Sequence, residues 1–384
     1  MSGDRGSGTD GDRSVSGRDA VAAGGPTDVR RSPADVDAAW LTGVLADRGL
    51  LPTGARVVGI DADPVGTGQM ADTVRFGLTY EPAGAGPATV IGKFTSGDAQ
   101  SHATGRIMRA YEVEVRFYAE VAPRVAARRP GLLFAAVDPE EAWFTLLLED
   151  VVGADQGDEL AGCDAPTAAA ALHQLAGLHG PCWEAPELAA SGWMNRSTPE
   201  GDEFTASIVT GVFPGFVERY GDRLDPAHVA VLEAFLPRLG AWMARPRGPA
   251  TVVHADFRLD NMLFPPDGGD PVVVDYQTVN WGAAAYDVAY FVGGSLEPGV
   301  RRAHVDDLLA GYHEALLGHG VTGYGLDDLR RDYRRESFGG LMMSVGASMM
   351  VRQTARGDEM FLTNTRRHAQ QVLDLDATAL LDDL

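Results

Sequence analysis

The chain has 384 residues, and its 54 acidic side chains against 32 basic ones give a formal charge of −22. That balance excludes the clustered basic side chains of an extended nucleic-acid footprint, and adhesion to an anionic membrane with it. Two cysteines, Cys163 and Cys182, cannot build a disulfide framework and have no CxxC spacing, which points to a reducing, cytoplasmic home.

The opening segment, MSGDRGSGTDGDRSVSGRDAVAAGGPTDV, is rich in Gly, Ser and Asp and has no apolar run of signal-peptide length, so residues 1–31 are expected to form a disordered tail. Ser32-Pro33 reads as a helix N-cap followed by proline at the first helical position. From Arg56 to Phe94 the pattern shifts to β-branched runs, RVVGIDADPV, DTVRFGLTYE and ATVIGKF, separated by Gly and Pro clusters: an antiparallel meander. A helix is expected over Arg106–Ala127, then strands at LLFAAVD and AWFTLLLED. Helices dominate afterwards, including Ala165–His179 and Ala227–Ala244, and again from about Arg301. A strand pair, TVVHADF (251–257) and PVVVDYQ (271–277), interrupts them as a hairpin. Strands first, then helices, is an α+β pattern with two unequal lobes, a β-rich one at 32–148 and a larger, mainly helical one at 149–384. The apolar stretch 337–351 is too short and Gly-broken to span a bilayer.

The strongest chemical signal is His254-Ala-Asp256-Phe-Arg258-Leu-Asp-Asn261, with Asp275 closing an apolar run fourteen residues later. Phosphoryl transfer needs one carboxylate to orient the attacking hydroxyl, and a second carboxylate with an amide oxygen to hold magnesium against the phosphates. A strand–loop–strand unit would deliver Asp256, Asn261 and Asp275 to one spot. The H-x-D-x-x-x-x-N spacing matches the catalytic loop of the protein-kinase-like superfamily. The wording VVHADFRLDNMLF…VVVDYQTVNWGAAAYDVAYFVGGSL is similar to its small-molecule branch, the aminoglycoside phosphotransferase, choline kinase and ecdysteroid kinase-like (CHK kinase-like) group.

This resemblance implies a two-lobed protein-kinase-like fold and roles for particular positions. Asp256 would be the catalytic base, Asn261 and Asp275 the magnesium ligands, and Arg258 a group facing the γ-phosphate. His254 would brace the loop, and Asp287, in YDVA, would hold the loop's backbone. The metal Asp is followed by Tyr-Gln, not Phe-Gly, which removes the basis for flip-style switching.

The first lobe offers an independent check. Of the 32 basic residues 31 are arginine, and the single lysine, Lys93, falls in the strand where kinases place the lysine of the α- and β-phosphates. A compact ammonium on a flexible stem fits between two phosphates where a planar guanidinium fits poorly. Helical spacing puts Glu114 on an apolar stripe with Ile107, Tyr111, Tyr118, Val121 and Val125, so it needs a cationic partner, and Lys93 is the candidate. Glu112, beside Arg109 and Arg116, is the alternative and reads as surface. Gly66 and Gly68, in VGTGQMAD, occupy the place of a nucleotide-clamping turn, although Ala71 replaces the third glycine. The segment LLLEDV, with Glu149 and Val151, is similar to the linker whose backbone binds adenine.

His173 and His179 lack metal-ligand spacing, the Met-rich run 341–350 reads as core, and the acids Asp155, Asp158 and Glu159 read as a solvated turn. The expected activity is ATP- and Mg²⁺-dependent transfer of phosphate to a hydroxyl of a small molecule. A silent nucleotide-binding pseudokinase and an antibiotic-modifying kinase are the alternatives. Among acceptors an uncharged or apolar alcohol is favoured, with no nucleic-acid or membrane partner.

Overall fold

The computed structural model describes residues 23–66, 70–245 and 247–384. The first helix, α1 (Ala38–Asp47), is capped by Asp37, whose carboxylate accepts from Trp40 N at 2.8 Å. Ser32 does not start it. Asp35 folds back onto the Ser32 amide at 2.9 Å and closes a single turn over Pro33–Asp35. Residues ahead of this turn already lie on the sheet, since Gly24 N donates to Ala135 O at 2.8 Å and Thr145 Oγ1 exchanges hydrogen bonds with the Arg30 backbone at 2.6 and 2.8 Å. The chain is therefore held from residue 24 onward, ahead of the tail boundary expected at residue 31.

Strands β1 (Arg56–Pro64), β2 (Ala71–Glu81) and β3 (Thr89–Thr95) form the expected meander. After helices α2 (Ala99–Met108) and α3 (Ala110–Arg116), strands β4 (Leu132–Asp138) and β5 (Trp143–Glu149) complete an antiparallel sheet in the order β1-β2-β3-β5-β4. Side chains alternate across a strand. Val90 and Phe94 of β3 therefore join Phe76, Leu41 and Leu45 in a core under α1. Ile91, of opposite parity like Lys93, packs toward the second core, which holds Tyr111, Tyr118 and Phe144.

One helix over Arg106–Ala127 was expected, but the chain breaks at Arg109, where φ is +55°. Ile107 thus belongs to α2 and is 79% exposed, not on the stripe with Tyr111 and Tyr118, which are buried. No Gly or Pro marks the break, so periodicity alone runs through it.

The helical lobe begins with β6 (Asp155–Gln156) and α4 (Ala165–His179), followed by the short α5 (Pro186–Ala189), β7 (Asn195–Arg196), α6 (Pro199–Tyr220), α7 (Pro226–Phe235) and α8 (Leu239–Ala244). The helix expected over Ala227–Ala244 is divided into α7 and α8 by a tight turn at Leu236–Arg238 containing Pro237, which removes a helical N–H. Then come β8 (Ala250–Val253), β9 (Met262–Phe264), β10 (Val272–Val273), β11 (Asn280–Ala283) and α9 (Ala284–Ser295), and finally α10 (Pro298–Gly318), α11 (Leu326–Glu336), α12 (Gly339–Met350) and α13 (Ala355–Asp374).

The expected pairing of 251–257 with 271–277 is not formed. β8 pairs with β11, Val253 opposite Asn280, while β10 pairs with β9, Val273 opposite Met262. The chain from His254 to Asp275 thus leaves one small sheet and enters another, and its loop contains a strand of its own. The sheet-lobe core continues through Leu146 and Phe144 into Leu172 of α4 and Phe291 of α9, so apolar packing joins the lobes. A separate cluster, with Phe216, Phe235, Trp242 and Leu362, fills the outer helical lobe.

Candidate functional site

Lys93 and Glu114 meet as the residue pattern predicts. Lys93 Nζ lies 2.6 Å from Glu114 Oε1, both side chains buried, with Glu112 instead paired to Arg109 at 3.0 Å. The same ammonium reaches across to the other lobe, 2.8 Å from Asp275 Oδ1. Burial by itself would drive the ammonium toward its neutral form, but Asp275 and Glu114 outweigh that and raise the Lys93 pKa. Burial raises that of Glu114, against the pull of Lys93. Asp275 resists the upward push of burial and is lowered, held charged by Lys93, His254 and Arg258.

The segment from His254 to Asp275 is bent by two left-handed residues. Ala255 has φ +63° and Asp275 φ +67°. For a residue with a Cβ this conformation costs about 1–2 kcal/mol, and at Ala255 the cost is offset by Asp287. Its carboxylate accepts from His254 N at 2.6 Å and Ala255 N at 2.9 Å, with His179 Nε2 at 3.2 Å behind. His254 in turn donates from Nε2 to Val274 O at 3.0 Å, and Thr278 Oγ1 donates to His254 O at 2.8 Å. His254 and Asp287 thus lock the loop.

Asp256 emerges from this turn into a cluster of donors. Asn261 Nδ2 donates to its Oδ2 at 2.9 Å and to its backbone O at 2.9 Å. Arg258 Nε is 3.1 Å from Oδ1 and 3.2 Å from Oδ2, while its Nη1 binds Asp260 Oδ2 at 2.5 Å. Tyr290 OH donates to Oδ1 at 3.1 Å. Asn261 O accepts from Val274 N at 3.0 Å, which ties this cluster to the strand leading into Asp275.

The residues fit a magnesium ion held against phosphates. Among the described residues Asp275 Oδ2 receives only a 3.2 Å bond from Gln277, and Asn261 turns its amide nitrogen to Asp256, which leaves its side-chain oxygen available to a metal. Such an ion would take one or two hard oxygen donors from protein and the rest from phosphate and water. A cage of three or more His, Cys, Asp or Glu side chains is absent among the described residues.

Gly66, two residues past the end of β1, has φ +80°, open to a Cβ in space but not in backbone angle, while Gly68 lies outside the described residues. Glu149 and Val151 are not gathered to the lysine. Glu149 pairs opposite Val90 and Lys93 opposite Leu146, so the linker stands about 10 Å along the strand, at the lobe junction. Asp150 between them is bound by Arg75 at 2.7 and 3.1 Å, anchoring the linker to β2.

Two side chains of the candidate site escape a reading of the residues. Glu159 is not part of a solvated turn: it is buried, accepting from Leu259 N at 3.1 Å and Ser295 Oγ at 2.9 Å. An acidic run, DQGDEL, conceals it. Tyr290 is the other, and only its place three residues after Asp287 on a helix hints at its reach. Among the described residues no helix is long and apolar enough to cross a membrane.

Comparison with known proteins accords with this geometry. In solved structures the chain overlays on a protein from Ralstonia eutropha assigned to the aminoglycoside phosphotransferases, with TM-score 0.53 and 14% identity, covering 89% of this chain and 98% of that one. It overlays likewise on the choline kinase of Cryptosporidium parvum, TM-score 0.52, 10% identity, 90% and 96% covered. For a microcompartment-associated aminopropanol kinase the values are 0.52, 14%, 83% and 94%. At such identities these likenesses establish the protein-kinase-like fold. No curated protein matches the sequence. The model of the ecdysteroid kinase-like family matches residues 70–320, from β2 through α10 and so across both lobes, and the chain belongs to that family.

Proposed function

We propose that this protein is a small-molecule kinase that moves the γ-phosphate of ATP, with magnesium, onto a hydroxyl group. The observation that carries the reading is the lysine bridge: one ammonium within 2.8 Å of carboxylates from both lobes, beside an Asp256–Asn261 pair at 2.9 Å. Phosphoryl transfer relies on positioning and on charge placed where it develops, and this cluster offers both. Asp256 would orient the acceptor hydroxyl and take its proton. Lys93, held by Glu114, would neutralise the α- and β-phosphates, and Arg258 the transferred group. A magnesium ion on Asp275 and Asn261 would supply charge neutralisation at the β- and γ-oxygens. The backbone of Glu149–Val151 and the turn at Gly66 would seat the nucleotide. The acceptor we favour is an uncharged or apolar alcohol.

The test is magnesium-dependent ATP turnover, alone and with a panel of alcohols, in wild type and in Asp256→Asn and Asp275→Ala. Each substitution is expected to lower turnover by roughly 10³-fold, about 4 kcal/mol of transition-state stabilisation. Full retention in either variant would overturn the assignment.

A further inference from the structure

We propose that Tyr290 is a positioning residue for the base: its hydroxyl orients the Asp256 carboxylate, and a ring stack completed by α13 holds the tyrosine in place. The proposal rests on the phosphotransfer reading above. Tyr290 stands three residues after Asp287 on α9, so one helix face supports the catalytic segment twice, at the backbone through Asp287 and at the side chain through Tyr290. Asn261 and Arg258 reach Asp256 from within the segment itself. Tyr290 OH, 3.1 Å from Oδ1, reaches it from a buried helix of the lobe and so fixes the carboxylate's rotation relative to the scaffold.

The tyrosine has two ring neighbours. Its ring lies nearly parallel to Tyr286, at 6.1 Å and 6°, and to His368 of α13, at 5.5 Å and 25°. Bare backbone makes room for that histidine. A Cβ at Gly293 would stand 2.5 Å from His368 Nδ1, and one at Gly340 2.2 Å from the ring. Burial, reinforced by Arg301 and Arg367, holds the His368 pKa down to about 3, so the stack is between neutral rings. Burial, together with the nearby Asp256 charge, pushes the Tyr290 phenol well above its ordinary value, which keeps the proton on the oxygen and makes it a donor. α13 lies beyond residues 70–320, so a segment outside the family match completes the support.

Tyr290→Phe keeps the ring and the stack and deletes only the donor. With ATP and magnesium and no acceptor, so that water is attacked, kcat is expected to fall roughly tenfold while KM for ATP stays within about twofold. The melting temperature should not change. An unchanged kcat overturns the proposal, as does a loss that appears in KM or in melting temperature. A second readout does not depend on turnover. With 3-fluorotyrosine placed at position 290, the fluorine resonance should shift on Asp256→Asn, and a resonance that ignores that substitution overturns the contact. Absence of ATP turnover in the wild type would overturn the phosphotransfer reading, and Asp256 as its base, while the fluorine signal still decides whether Tyr290 bonds to Asp256.

Discussion

Lys93 Nζ lies 2.8 Å from Asp275 Oδ1, a contact between residues 182 positions apart that ties the sheet lobe to the helical lobe. Because Glu114 holds the same ammonium at 2.6 Å, the lysine is oriented from its own lobe and charged by both.

Lys93→Arg retains the charge and changes only its shape. A guanidinium presents five donors in a plane, and this pocket offers carboxylate oxygens suited to a compact ammonium. Turnover of ATP should fall about 100-fold, near 2.7 kcal/mol of transition-state stabilisation, measured by steady-state kinetics beside a melting curve that confirms folding. Wild-type activity in this variant would show that the lone lysine carries no special geometry.

Asp287 is expected to matter chiefly for stability. Both carboxylate oxygens accept a backbone N–H, Oδ2 from His254 and Oδ1 from Ala255. In Asp287→Asn either orientation of the amide turns an NH₂ toward an N–H donor, leaving a buried group unpaired beside a left-handed residue. The loss should be about 3 kcal/mol, read as a lower urea midpoint with an unchanged m-value. A midpoint equal to wild type would mean that the turn at Ala255 is held by other contacts.

His368 makes stability depend on pH in a definite sense. Its folded pKa, about 3, lies below the ordinary value of 6.5, so between those values the unfolded chain binds a proton the folded one refuses. Stability is therefore full above about pH 6.5 and declines as the pH falls toward 3. From pH 7 to 5 this one residue should account for about 2 kcal/mol, and His368→Gln should remove that share of the slope. The comparison is of urea midpoints at pH 7 and 5 in both proteins. Parallel pH dependence would show that His368 is accessible to protons in the native state.

Legibility in the sequence follows the range of the interactions. Asp256, Asn261 and Asp275 lie within twenty residues, and their spacing carries its own chemistry. Glu114 is readable because a carboxylate on an apolar stripe must be paired, although Ile107 was wrongly placed on that stripe across the break at Arg109. The pairing of β8 with β11 was not readable, since strands of four residues and fewer have too little periodicity to choose partners. Glu159 was misjudged for a related reason. Its acceptor role depends on Leu259 and Ser295, 100 and 136 positions away, and nothing in an acidic run reports burial.

By itself the sequence determined the chemistry: which carboxylates, which amide and which lysine are present, their spacing, and the succession of strands and helices. These follow from side-chain type and short periodicity, which are local properties. Tertiary structure decided which charges meet and which are buried. The lysine's second carboxylate, the amides on Asp287 and the tyrosine on Asp256 are all long-range contacts, and packing of the two lobes and of α13 selects them. Burial then sets their electrostatics, because a charge withdrawn from water is stabilised only by the neighbours that the fold supplies.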